Sequence, residues 1–93
     1  MAAFADEALV RVADGNAACE LGGEAVLLNL DSGTYHGLNP VGTRVWELLQ
    51  EPRSVGELRR LLLAEYEVEE AQLQEDLASL LASMEQAGLV RIG

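Results

Sequence analysis

One cysteine, one histidine and one tryptophan are all that these 93 residues offer of those types. A single thiol, Cys19, excludes an intrachain disulfide and suits a reducing compartment, so a cytoplasmic protein is expected. A zinc site commonly takes four Cys or His ligands, or three plus water. One of each is too few, and no metal or other cofactor is expected. Catalysis needs a nucleophile, a base or a metal cluster. His36 has no evident partner along the chain, Cys19 falls in a different predicted strand, and no catalytic residues are assigned. Gly22-Gly23 lacks the spacing and the following lysine of a phosphate-cradling loop. The chain is therefore expected not to be an enzyme. Basic residues are also scarce: six against sixteen acidic ones, a formal charge of −10. Affinity for nucleic acid comes largely from Lys and Arg neutralising phosphates, and anionic membrane surfaces select for the same residues. Neither is an expected partner. A neutral or cationic peptide or protein fits better, although net charge also serves solubility. No basic segment followed by an apolar run marks a secretory signal. No apolar stretch approaches the ~20 residues needed to span a bilayer.

What the chain does have is apolar content, 49%, enough for one folded domain over residues 1–93. Its character changes near Asn39-Pro40. Before that point short strands are predicted over about 9–38. Leu9–Ala13 runs into Asp14-Gly15, a tight-turn pair. Ala17–Leu21 reads as the return strand, broken by Gly22-Gly23. In Ala25–Leu30 the alternation places Val26, Leu28 and Leu30 on the core face and Asn29 on the other. Asp31-Ser32-Gly33 supplies loop residues, and Thr34–Leu38 is a last short strand. The whole reads as a small antiparallel meander.

After Asn39 three helices are predicted, at about 40–50, 54–65 and 68–87. Asn39 is a suitable N-cap and Pro40 a suitable first residue. Val41, Val45, Leu48 and Leu49 form one apolar stripe, with Trp46 beside it in a core or half-buried place. Pro52 ends that helix. Ser54-Val55-Gly56-Glu57 has the form of a capping box, and Val55, Leu58, Leu61 and Leu62 make the second stripe. The third carries Leu73, Leu77, Leu80, Leu81 and Met84. Gly88 fits the left-handed position after a helix, with Leu89 folding back onto Met84. Residues 89–92 add a short extended piece. Three such helices beside a small sheet resemble a winged helix-turn-helix, an α+β fold.

A binding surface is the remaining kind of function. Thr34–Leu38 is short and uncharged. A strand at a sheet edge offers unpaired N–H and C=O groups, and Gly37 lets another backbone approach closely. An extended peptide adding there as a further strand is one use; relief of crowding at the strand-to-helix corner is the plainer one. The third helix would form the other wall of a groove, its small Ala78, Ala82 and Ser83 leaving room for anchors. Along the strand Tyr35 and His36 point to opposite faces, so one of them faces away from the core.

The run from Leu28 to Leu49, LNLDSGTYHGLNPVGTRVWELL, resembles the signature of PqqD-like proteins, also called RiPP recognition elements. Gly37-Leu38-Asn39 and Val45-Trp46-Glu47-Leu48-Leu49 carry the likeness, together with Ala87-Gly88-Leu89-Val90, and it extends over nearly the whole chain after about Leu9. The resemblance implies a three-stranded antiparallel sheet followed by three helices. It also implies a non-catalytic role: binding the leader segment of a ribosomally made precursor peptide as a strand added to the third strand and lying against the third helix. The positions implied here are Thr34, Tyr35, His36, Gly37 and Leu38 on the strand, and Asp76, Leu77, Leu80 and Met84 on the helix. The chain reads as free-standing and looks most like the leader-binding component of lasso-peptide clusters. That resemblance implies a separate cysteine protease, the leader peptidase, as partner, with a macrolactam-forming cyclase completing the pathway. The pyrroloquinoline quinone chaperone, which partners a radical SAM enzyme, is similar in size and fold and is the alternative. A winged-helix DNA-binding protein is the rival of another class, permitted by the fold and opposed by the charge. A monomer or weak dimer is expected, because an open edge can also pair with itself.

Overall fold

A computed structural model describes residues 4–93. The chain runs β1 (Leu9–Val12), β2 (Asn16–Leu21), β3 (Glu24–Asn29), β4 (Thr34–Gly37), α1 (Pro40–Leu48), β5 (Arg53–Ser54), α2 (Val55–Glu65), α3 (Glu70–Gln86) and β6 (Val90–Ile92). Two three-stranded antiparallel sheets result, ordered β2-β3-β4 and β5-β1-β6. With three helices this is the α+β fold anticipated above.

β2 and β3 form a hairpin that closes Leu21 against Glu24. Its two central residues, Gly22 and Gly23, have φ of 62° and 85°. Positive φ at both places is the requirement of a type I′ turn, whose twist matches that of the strands. The meander starts here and not at β1. Asp14-Gly15 is a bend that releases the chain from β1. β1 pairs instead with the two-residue β5 and with the C-terminal β6. That sheet joins segments from the start, middle and end of the chain, and local turn chemistry carries no record of such pairing.

The face of β3 is the reverse of the sequence expectation. Ala25 and Leu27 are buried, Val26 and Leu28 are half-buried, and Leu30 is 60% exposed. β3 is apolar on both faces, so its alternation does not say which set turns inward. The tertiary structure decides. Thr43 of α1 sits over the start of β3, its Oγ1 accepting the Ala25 N–H at 3.0 Å.

The helix starts follow their caps. Asn39 Oδ1 accepts the Gly42 N–H at 2.8 Å, and Ser54 Oγ accepts the Glu57 N–H at 3.1 Å; each satisfies one of the free donors of a first turn. α3 begins at Glu70, two residues later than expected, with Glu69 as a cap that makes no side-chain bond. It ends on Gly88 at φ 77°. Leu89 N–H donates to Met84 C=O at 2.9 Å and Gly88 N–H to Glu85 C=O at 3.1 Å. This is a Schellman ending, and it turns Leu89 back into the core.

The core lies between the helices and the inner face of β2-β3-β4. Leu27, Val45, Leu49, Leu58, Leu62, Leu81 and Leu89 are nearly or fully buried there. Trp46 is buried beside them, whereas Val41, at the start of the α1 stripe, is 37% exposed. Arg44 ties α1 to α2 by a fork onto Glu65, both bonds 2.8 Å. Its guanidinium holds the Glu65 carboxyl below the usual carboxylate range. Arg59 grips Asp6 in the same way.

Candidate functional site

β4 is an edge strand: β3 lies on one side and no strand of the described residues lies on the other. Leu38 N–H donates to Ala25 C=O at 2.9 Å. In an antiparallel ladder the bonded pairs recur at every second residue. The register therefore turns the backbone groups of His36 toward Leu27 and those of Thr34 toward Asn29. The N–H and C=O groups of Tyr35 and Gly37 point out from the open edge, four hydrogen-bonding groups in a row.

Beside that edge runs a groove whose opposite wall is α3. It holds two recesses. One, of about 240 Å³, lies between His36, Gly37 and Leu38 on one side and Leu80, Ser83, Met84 and Ala87 on the other, with Leu89 alongside. The second, of about 210 Å³, lies between Asn39 and Val41 at the start of α1 and Leu73, Asp76, Leu77 and Leu80 of α3, over Leu62. Leu80 and Asn39 border both. The walls are mostly apolar, with the Asp76 carboxylate exposed at the rim and accepting from Gln72 Nε2 at 2.9 Å.

The nine residues picked from the sequence divide as follows. His36, Gly37, Leu38, Leu80 and Met84 line the first recess, and Asp76, Leu77 and Leu80 the second. Leu38, Leu77 and Met84 are buried, while Leu80 and His36 are half-buried. Thr34 begins β4, exposed, opposite Asn29. Tyr35 stands on the other face of the sheet and is 70% exposed, so its backbone meets the groove edge and its ring does not. Sequence reasoning left out Val41, Leu62, Leu73, Ala87 and Leu89. Four of these are assigned to apolar helix stripes or to the tail that folds onto Met84, and only the packing of α1, α2 and α3 shows which sides of them remain open.

The sparse candidate groups for chemistry lie apart from one another. No carboxylate or cysteine lines the recess of His36. Cys19 pairs with Val26 and His36 with Leu27, which puts the two on opposite faces of the sheet. Among the described residues no three His, Cys, Asp or Glu side chains are grouped to hold a metal ion. No helix among them is long and apolar enough to cross a membrane.

Among the described residues no helix covers the outer face of β2-β3-β4. Ala17 and Leu28, Cys19 and Val26, and Leu28 and Tyr35 are cross-strand neighbours on it. Leu21, at its end, is 66% exposed. The charged residues from β2 through β4 are Glu20, Glu24 and Asp31, all acidic.

Residues 24–90 match the family described as Coenzyme PQQ synthesis protein D (PqqD). Two solved structures are similar over most of the chain. "TbiB1 in Complex with the TbiA(beta) Leader Peptide" is 33% identical, covers 87% of this chain and 94% of its own, and superposes with a TM-score of 0.81. "Lasso peptide synthetase B1 complexed with the leader peptide" is 27% identical, covers 88% and 96%, and gives 0.78. No curated protein sequence gives a match. An open-edged β4 facing α3, on a chain with these relatives, leaves one assignment: the protein belongs to the PqqD family, as a PqqD-like RiPP recognition element.

Proposed function

We propose that this chain is a non-catalytic adaptor. It captures the leader segment of a ribosomally made precursor peptide as a strand added to β4, and delivers it to a processing enzyme, the leader protease of a lasso-peptide pathway. A macrolactam-forming cyclase then completes the product. The observation that carries the reading is the open edge of β4 set against an apolar groove. Two relatives solved with leader peptides support it.

The energetics divide the work. Four edge hydrogen bonds, at about 0.5–1.5 kcal/mol net each, supply roughly 2–6 kcal/mol. Micromolar affinity needs about 8 kcal/mol. The backbone alone falls short, so side chains of the guest must fill the two recesses, at about 1.5–3 kcal/mol for each fully buried apolar side chain. Backbone pairing provides the strand register, and the recesses provide the choice of sequence. The exposed Asp76 at the rim favours a leader with a Lys or Arg near that point.

Delivery has its own support. The apolar outer face belongs to the same sheet as β4, and the charged residues at its ends, Glu24 beside Leu21 and Asp31 in the β3–β4 turn, are acidic. Such a patch suits a protein partner with an apolar surface and a basic rim. The net charge of −10 opposes a second copy of this chain there. Holding the leader on β4 then holds the rest of the precursor near an enzyme seated on the adjoining face.

The test is a calorimetric titration with the leader segment of the precursor encoded beside this chain. Saturable binding at micromolar concentration is expected, and its absence would sink the proposal. The PqqD match favours one alternative, a pyrroloquinoline quinone precursor chaperone. Co-purification with a radical SAM enzyme in place of a cysteine protease would select it.

A further inference from the structure

The two walls of the groove come from different parts of the fold, and something must hold them apart at a set distance. At the β4–α1 corner the Thr43 hydroxyl does this. At the other end the work falls to two asparagines. Asn29 Oδ1 accepts from both the N–H and the Oγ–H of Ser32, in the turn that leads into β4, at 3.0 and 3.1 Å. Asn29 Nδ2 donates to Asn16 Oδ1 at 3.1 Å. Asn16 Nδ2 then donates to the carbonyls of Gly88 at 3.0 Å and Ala13 at 3.3 Å. The carbonyl of Gly88 belongs to the ending of α3.

The orientation of both carboxamides is settled by their partners. An oxygen must face the two donors of Ser32, and an NH₂ must face the two carbonyls. Reversing either amide sets like against like. The chain of bonds therefore has one direction, from the β4 turn through β3 and β2 to the C-terminal end of α3. Packing leaves little slack, since a Cβ built on Gly88 would lie 3.2 Å from Asn29 Nδ2.

We infer that Asn16 and Asn29 are positioning residues for peptide capture: their paired carboxamides set the distance between β4 and the end of α3, and so the width of the groove at the recess lined by His36, Met84 and Ala87. The inference rests on the leader-capture reading and adds to it the part of the chain that gauges the guest. Neither asparagine lines the recess itself. They act through the walls.

Asn29→Asp separates this role from a merely local one. A carboxylate keeps both bonds from Ser32 but has no hydrogen to give Asn16. If Asn29 only caps the turn, the variant behaves as wild type. If it spans the groove, the link to Gly88 is lost. The leader segment of the neighbouring precursor is titrated against wild type and Asn29→Asp, with Asn16→Ser as a second variant that cuts the same link from the other side. Backbone amide spectra of the peptide-free proteins show whether each is folded. The expected result is a folded variant with at least tenfold weaker binding, and amide shifts that reach Ala87, Gly88 and Leu89. The weakening should shrink when the guest residue that fills this recess is cut to alanine, because coupled groups are not additive. Leader binding within twofold of wild type in a folded variant overturns the inference and leaves capture intact. No binding by the wild type overturns capture, and the inference with it.

Discussion

Thr43 offers the sharpest test of how β4 is held. Among the described residues it is the one buried polar side chain, 6% exposed. Its Oγ1 accepts the Ala25 N–H at 3.0 Å and donates to the Leu38 C=O at 3.3 Å. The hydroxyl thus joins the start of β3, the end of β4 and the first turn of α1. Thr43→Val keeps the shape and removes the hydroxyl. Ala25 is itself buried, so its N–H is left without a partner, at a cost of about 1–3 kcal/mol. The 3.3 Å bond to Leu38 is long and adds little. For a domain of this size, each kcal/mol moves Tm by about 4–8 °C, so a fall of roughly 5–20 °C is expected. Thr43→Ser keeps the hydroxyl and loses one methyl, near 0.8 kcal/mol for a buried carbon. The order of stability should be Thr, then Ser, then Val. Burial alone predicts the opposite order for the two variants, since Val retains more apolar surface than Ser. Urea unfolding followed by the fluorescence of Trp46, the single tryptophan, measures it. The slope with denaturant should stay constant while the midpoint moves. A Thr43→Val protein as stable as wild type, or more stable than Thr43→Ser, would refute the reasoning.

Other consequences can be checked with the same material. Gly37→Pro removes an N–H aimed at the open edge, and leader binding should weaken several-fold or more; equal binding by a folded variant would exclude this edge as the docking site. Gly88→Ala places a side chain at φ 77°, costing about 1–2 kcal/mol for the left-handed conformation, and should lower Tm by several degrees in a calorimetric scan. Glu65 has its carboxyl held low by the Arg44 fork. A depressed carboxylate contributes stability above its ordinary range and loses it as pH falls through the folded value. Glu65→Gln should therefore melt slightly below wild type at neutral pH, a small effect for so exposed a pair. The two melting curves should converge as pH drops from about 5 toward about 2; a gap independent of pH would contradict the assignment.

The sequence by itself determined the elements whose causes are local. Asn39-Pro40, Ser54 with Glu57, and Gly88 mark two helix starts and one helix end by hydrogen bonds spanning three to five residues, and each is present. The short strand between Gly33 and Asn39 was legible for the same reason. Likeness to a family added the partner of that strand, α3. Tertiary structure alone decided three further matters. β1 joins β5 and β6, a pairing of distant segments that leaves no trace in its own residues. β3 turns Ala25 and Leu27 inward, because a strand apolar on both faces has no preferred side until α1 and the hydroxyl of Thr43 select one. The β4 side chain that lines the recess against α3 is His36, while Tyr35 joins the apolar outer face. That last choice follows from the register with β3. Side chains alternate along a strand, so pairing His36 with the inward Leu27 commits its neighbour to the opposite face.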